Sequence, residues 1–298
     1  MKTQMVPTAL QFKNALQFKN VLYATDFRHD AELALPYAVS LARKYDSKLY
    51  VVNVVDVSPF STPAPTNAMR AVEAQAIREA KEASLALAPS FDQFPHEMLI
   101  RKGDVWKEIS RVLEEKHVDL IVLGTHGRAG VSKIVLGSVA ENIFRHAPCP
   151  VLTVGPHIHG EPDRFSHLHS ILVPTDFSEE SAAAISCAVS FALANQSRLY
   201  LLHVAPSAEM PEPSLKHLLR NLIPADADFA FAPKVFLEAG APSQKILDLA
   251  DELAVDLIVL GVKAPAIFRG TSIHQTMATA CKVVCGAGCP VMTVRAPV

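Results

Sequence analysis

Short runs of aliphatic and β-branched residues punctuate the first half of the chain: NVLYAT from Asn20, KLYVVNVV from Lys48, HEMLI from His96, VDLIVLG from Val118 and PVLTV from Pro150. They are mostly continuous rather than alternating, as strands covered on both faces require. Between them, apolar residues return at helical spacing over 31–45, 67–88, 104–116 and 138–146. Asp104 and Ser138 stand where N-caps belong, and Pro148 and Pro150 stop the last of these helices. Strands alternating with helices predict an open parallel α/β sheet with right-handed crossovers.

The pattern then starts again. NVLYATDFRHDAELALPYAVSLARKYDSKLYVVNVV, from Asn20, aligns without a gap to SILVPTDFSEESAAAISCAVSFALANQSRLYLLHVA, from Ser170. VDLIVLG at Val118 returns at Val255, and CPVLTV at Cys149 returns as CPVMTV at Cys289. The period is too long for a solenoid and predicts one domain duplicated in tandem. The expected boundaries are an extension over 1–18, a first domain over 19–155, a linker over 156–169 and a second domain over 170–298. The extension contains a doubled hexapeptide, ALQFKNALQFKN from Ala9, to which no function is assigned.

Composition narrows the class. With 298 residues the chain is long enough for two cores. Half the residues are hydrophobic and the formal net charge is −2, which excludes the broad basic excess that nucleic-acid binding favours. No apolar run approaches the roughly 20 residues of a membrane span, and the N-terminal residues do not read as a signal peptide. Five cysteines with no small-domain spacing point to a reducing, cytoplasmic setting.

Candidate chemistry gathers in GTHGRAGVSKIVLGS, from Gly124 to Ser138, directly after the fourth strand. In an open parallel sheet, ligands bind outside the carboxyl ends of the strands where the winding reverses. Thr25 and Asp26 follow the first strand there, Asn53 and Val54 close the second, and Gly124 follows the fourth. Gly124 and Gly127 are expected to adopt positive φ and let backbone amides approach an anion. Gly137 and Ser138 open the next helix, whose free N–H groups and dipole favour phosphate. Asp26 has the chemistry to accept from a ribose hydroxyl or to hold a metal bound to phosphates. A turn with a helix cap explains the same residues without a ligand, and His126, Arg128 and Lys133 suit either account.

The spacing Gly124, Gly127, Gly137-Ser138, with the TDF turn and the closing PVLTV strand, resembles the ATP-binding signature of universal stress proteins. The resemblance covers both copies from about residue 19. It implies a Rossmann-like fold of two tandem five-stranded parallel sheets, each with strand order 3-2-1-4-5. It implies ATP as ligand, with Mg2+ as its companion ion. Asp26, beside Thr25, would contact ribose, Val54 would offer backbone groups to adenine, and Gly124, Gly127, Gly137, Ser138 and Val139 would surround the phosphates. It further implies pairing of the two copies through their last strands and a homodimer, while composition already leaves no membrane or nucleic-acid partner expected.

The second copy departs from that pattern. After VDLIVLG comes VKAPAIFRGTSIHQ, where Ala264 replaces the glycine matching Gly127 and Gly270-Thr271 arrives early. A shorter loop carrying Pro265 lacks the reach to wrap three phosphates, so a degenerate second site is expected. Three classes follow: a nucleotide-dependent stress regulator, a slow ATPase on the same site, or a nucleotide-free interaction protein. No G-x-x-x-x-G-K-[ST] loop occurs, ATDFRHD stands where an ATP pyrophosphatase would place Ser-Gly-Gly-x-Asp, and nothing marks a poised base. The first class is expected, with hydrolysis at most slow. Cys281, Cys285 and Cys289, and the linker pairs His157/His159 and His167/His169, have metal-like spacing but lack the tighter grouping of a four-ligand site. Trp106 reads as core with Ile109, Val112 and Leu113.

Overall fold

The computed structural model describes residues 17–27, 29–56, 66–125, 136–158, 165, 167–205, 213–263 and 271–296. In the first copy the elements are β1 (Asn20–Ala24), α1 (His29–Glu32), α2 (Leu35–Tyr45), β2 (Lys48–Asp56), α3 (Asn67–Leu87), β3 (His96–Gly103), α4 (Val105–Glu115), β4 (Leu120–Gly124), α5 (Ser138–His146) and β5 (Val151–Val154). The second copy supplies β6 (Ser170–Pro174), α6 (Glu179–Asn195), β7 (Arg198–Ala205), α7 (Pro213–Asn221), β8 (Lys234–Ala239), α8 (Pro242–Glu252), β9 (Leu257–Gly261), α9 (Thr271–Gly286) and β10 (Val291–Val294). The first helix, expected unbroken over 31–45, splits into α1 and α2. Pro36 sits in the first turn of α2; it has no N–H to donate and its ring clashes with the carbonyl four residues back.

Each half is a parallel sheet of the expected class, β3-β2-β1-β4-β5 and β8-β7-β6-β9-β10. The halves run on into one ten-stranded sheet, because β5 and β10 pair antiparallel with Met292 opposite Leu152. Thr153 Oγ1 donates to the Val291 carbonyl at 2.9 Å, and Thr293 Oγ1 to the Val151 carbonyl at 3.4 Å. The two threonines are buried and related by the repeat, so each seam hydroxyl has its twin.

Duplication reaches the backbone torsions. Left-handed residues recur in register: Phe27 (φ 59°) with Phe177 (φ 63°), Asp46 with Gln196, His117 with Ala254, and Gly103 with Gly240. Asp119 Oδ2 accepts from the amides of Lys19 (2.8 Å) and Asn20 (2.9 Å), and Asp256 Oδ2 from those of His169 (2.8 Å) and Ser170 (2.9 Å). Carboxylates therefore fix the entry of β1 and of β6 in the same way, through charge-assisted bonds.

Two hydrophobic cores cover the two faces of the sheet, and each contains residues of both copies. On one face Phe18 meets Tyr45 edge-on (5.2 Å) and packs tilted against Phe191 of α6 (5.8 Å). Phe165 lies in the segment between the copies, yet it is buried and meets Tyr37 edge-on at 5.4 Å. Trp106, expected in the core, packs partly buried against it, with Ile109, Val112 and Leu113 fully inside.

Candidate functional site

The crevice forms where β1 and β4 lie side by side and their crossovers leave in opposite directions along the sheet. Backbone bonds hold its walls. Thr25 N–H donates to the Val52 carbonyl at 3.0 Å, and Thr125 N–H to the Val154 carbonyl at 3.1 Å. Asn53, expected with Val54 to close β2, lies within the strand, which runs on to Asp56; its Nδ2 donates to the Thr25 carbonyl at 2.9 Å and ties β2 to the turn after β1. Thr25 Oγ1 accepts from Phe27 N–H at 2.9 Å, which holds Phe27 in its left-handed conformation. Thr25 is buried, while Asp26 beside it is exposed.

Val54 is half-buried in β2, in parallel register with Arg101 of β3. Tyr23, beneath the turn, donates from its hydroxyl to the Ala31 carbonyl at 2.8 Å. Burial, reinforced by the charges of Glu32 and Asp26 and opposed by the bond to Thr25, pushes that hydroxyl up to about 12. On the α3 side of the turn an open cleft of about 230 Å³ is lined by Thr25, Phe27, Glu32, Ala83, Ala86 and Leu87. It is smaller than the roughly 300 Å³ at which ligand pockets usually begin.

Gly127, His126, Arg128 and Lys133 lie outside the described residues. Gly124 is the last residue of β4, paired with Val154. The expectation of positive φ at Gly124 is corrected: it is extended strand, and the described glycines with positive φ are Gly103 and Gly240. Its counterpart Gly261 shows what a glycine can do at this place. A Cβ there would lie 2.4 Å from the Glu180 carbonyl carbon and 2.5 Å from the Ser181 nitrogen, so α6 packs on the bare strand end.

The expected N-cap is corrected as well. Gly137 is the cap of α5, at φ −60° and ψ 147°, and Ser138 is the first helical residue. Gly137 N–H donates to the Thr125 carbonyl at 2.9 Å, so the chain that leaves β4 comes back to its own exit before the helix starts. Thr125 is the residue that the sequence reading passed over; it lies between the matched glycines and has no repeated identity to mark it.

This helix start differs from its neighbours. Thr66 accepts from Met69 N–H at 3.2 Å to cap α3, Asp104 from Lys107 N–H at 2.9 Å to cap α4, and Ser178 from Ser181 N–H at 3.3 Å to cap α6. The first turns of α2 and α8 carry a proline, which removes a donor. Gly137 offers α5 neither a side-chain acceptor nor a proline. The amides of Ser138, Val139 and Ala140 therefore form the kind of donor set that an anion completes. Glu141 in that first turn has its charge matched by Arg145, whose Nε and Nη2 reach Oε1 at 3.0 and 2.6 Å.

In the second copy Thr175, Asp176 and Phe177 repeat the turn, with Thr175 Oγ1 accepting from Phe177 N–H at 3.1 Å. There Asp176 accepts from Ser178 N–H at 3.0 Å and from the Ser178 hydroxyl at 2.5 Å. Burial raises the Asp176 carboxyl, but the Ser178 bonds, helped by Ser181 and the Lys263 charge, outweigh it and hold the group below its usual value. His203 takes the place of Asn53, its Nδ1 2.8 Å from the Thr175 carbonyl, and Phe177 stacks on it at 4.8 Å. The stretch from Ala264 to Gly270 lies outside the described residues.

Among the described residues no group of three or more His, Cys, Asp or Glu converges as metal ligands, and no helix is long and apolar enough to cross a membrane. Cys281 and Cys285 lie on α9 and Cys289 just before β10. Burial pushes the Cys285 thiol to about 11 and Cys289 to about 12, away from reactive thiolate.

Comparison with known proteins places this architecture. The model of the universal stress protein family matches residues 17–155 and 167–295. A universal stress protein of Methanocaldococcus jannaschii is 35% identical over 125 residues, covering 41% of this chain and 72% of the relative. The crystal structure of a universal stress protein from Archaeoglobus fulgidus superposes with a TM-score of 0.70 at 19% identity, covering 94% of this chain and 97% of that one. A functionally unknown protein from Pseudomonas aeruginosa PAO1 superposes at 0.62 and 17% identity, over 94% and 93% of the two chains. At such identities the structural matches speak for the fold.

Proposed function

The chain belongs to the universal stress protein family, and from its site we propose that it is a nucleotide-dependent stress-response regulator holding one ATP in its N-terminal copy. The observation that carries this reading is the start of α5. A helix whose cap, Gly137, has no side-chain acceptor begins beside the exit of β4, pinned there by the Gly137–Thr125 bond at 2.9 Å. Phosphates complete its donors, Asp26 faces the ribose, and Val54 of β2 meets the base. A divalent ion such as Mg2+ would be held mainly by the phosphates; Asp26 would be its protein carboxylate only in place of the ribose contact. Binding is taken as the function, with any hydrolysis slow, since no motif of the sequence marks a poised general base. The two copies act as a pseudo-twofold pair, the second lending structure rather than a second phosphate site.

The experiment is mass spectrometry of small molecules released when the purified chain is denatured, followed by titration of the nucleotide-stripped protein. Release of adenine nucleotide, or tight uptake of added ATP, is the expected result. A protein that releases none and ignores added ATP is an interaction module instead.

A further inference from the structure

We propose that Arg295, contributed by the second copy, is a positioning residue for the phosphate end of the N-terminal site, acting through α5. The inference rests on the nucleotide reading above. α5 has only nine residues, so both of its ends bear on the same short rod. Its C-terminal carbonyls are taken in turn. His146 Nδ1 lies 2.9 Å from the Asn142 carbonyl, and Ala147 N–H donates to Ile143 at 2.8 Å. The Phe144 carbonyl accepts from Arg295 Nη2 at 3.0 Å. Phe144 is 1% exposed, so this carbonyl depends on the protein for its partner.

Arg295 follows β10, and β10 reaches α5 because it pairs with β5. The residue related to Arg295 by the repeat is Gly155, which follows β5 and faces α9. A Cβ built there would stand 3.3 Å from the Val284 carbonyl, the counterpart of Phe144. The same place in each half thus looks at the same carbonyl of the opposite helix, and only one carries a cation. That cation serves the helix whose start keeps the Gly137-Ser138 pattern. A positive charge at the C-terminus and a polyanion at the N-terminus of one helix are each favoured by its aligned peptide dipoles. The bond also holds α5 against the seam, so the amides of Ser138, Val139 and Ala140 are already in place when phosphate arrives.

The test uses the full chain. Arg295→Ala, Arg295→Gln and Arg295→Lys are titrated with ATP, ADP and AMP, and amide exchange over α5 and α9 is followed without nucleotide. Arg295→Ala and Arg295→Gln are expected to bind ATP roughly three- to tenfold more weakly, with the loss shrinking toward AMP and lysine restoring most of it. Exchange in the last turn of α5 should quicken while α9 stays as it was. Unchanged ATP binding, or an equal loss for ATP and AMP that lysine does not restore, overturns the role. Unchanged exchange over α5 removes the cap on which it stands. If the wild-type chain binds no ATP while α5 still loosens, the nucleotide reading itself has failed and the positioning role falls with it.

Discussion

The two copies carry one turn and two different crevices. In both, the threonine after the first strand donates its amide to the second strand (Thr25 at 3.0 Å, Thr175 at 2.8 Å) and its hydroxyl oxygen accepts from a left-handed phenylalanine. Beyond the turn they diverge. Asp176 is engaged by Ser178, whereas Arg28 stands at the matching place after Asp26, and Phe177 rests on His203 where the first copy has Asn53. The glycine pattern Gly124, Gly127, Gly137-Ser138 survives in the first copy alone. A turn kept in the copy that lost the phosphate pattern is scaffold first. Asp26 by itself is therefore weak evidence of a ligand, and the open start of α5 is the stronger.

The largest expected effect comes from the glycine both copies share at the end of the fourth strand. Gly261→Ala puts a methyl within 2.4 Å of the Glu180 backbone, and backbone cannot step aside as a flexible side chain can. Displacing the first turn of α6 should cost about 3 kcal/mol, at the upper end for overpacking. Thermal unfolding should fall by roughly 6–10 °C for domains of this size. A stability loss within experimental error would show that the strand end and α6 are further apart than described.

Next in size is the difference in nucleotide affinity. The first copy should take one ATP and the second should bind at least a hundredfold more weakly, about 2.7 kcal/mol, because several charge-assisted contacts to phosphate are missing. Gly127→Val places a branched side chain in the stretch where phosphate is expected, and should abolish tight binding in the whole chain. Gly270→Ala in the second copy should change it little. Calorimetry that finds two equivalent sites, or tight binding in Gly127→Val, would erase the proposed asymmetry.

These expectations start from the sequence, and its legibility was uneven for physical reasons. Buried parallel strands announce themselves as uninterrupted apolar runs, so the five strands of the first copy could be placed to within three residues; in the second copy four were read from the repeat, and the edge strand β8 (Lys234–Ala239), which repeats none of the first copy's words, was not. Asp104 could be read as a cap because its side chain does the capping. Ser138 could not, since glycine caps by backbone alone and shifts the helix start by one. Positive φ at Gly124 was misjudged because glycine is chosen for lack of bulk as well as for torsion, and at Gly261 bulk decides. The bond from Arg295 to Phe144 was invisible: it joins positions 151 residues apart across a seam, and neither residue type signals it.

The smallest effect concerns the turn of the second copy, at Asp176. The folded-state pKa of Asp176 is depressed, with burial acting to raise it and the Ser178 bonds prevailing. A depressed carboxyl binds its proton less readily in the folded chain than in the unfolded one, so stability rises with pH between the folded value and the ordinary 3.8. Above that window the contribution is fully present; as pH falls through the folded value it is lost. Asp176→Asn keeps an oxygen that can accept from Ser178 but has no charge to titrate. Wild type should thus lead Asp176→Asn by a small margin at pH 6, and the margin should vanish below the folded pKa as the carboxyl is neutralised. Thermal unfolding of both chains in steps from pH 6 down to pH 2.5 measures the margin directly. Parallel curves across the acid range would mean that Ser178 favours the neutral carboxyl as much as the charged one.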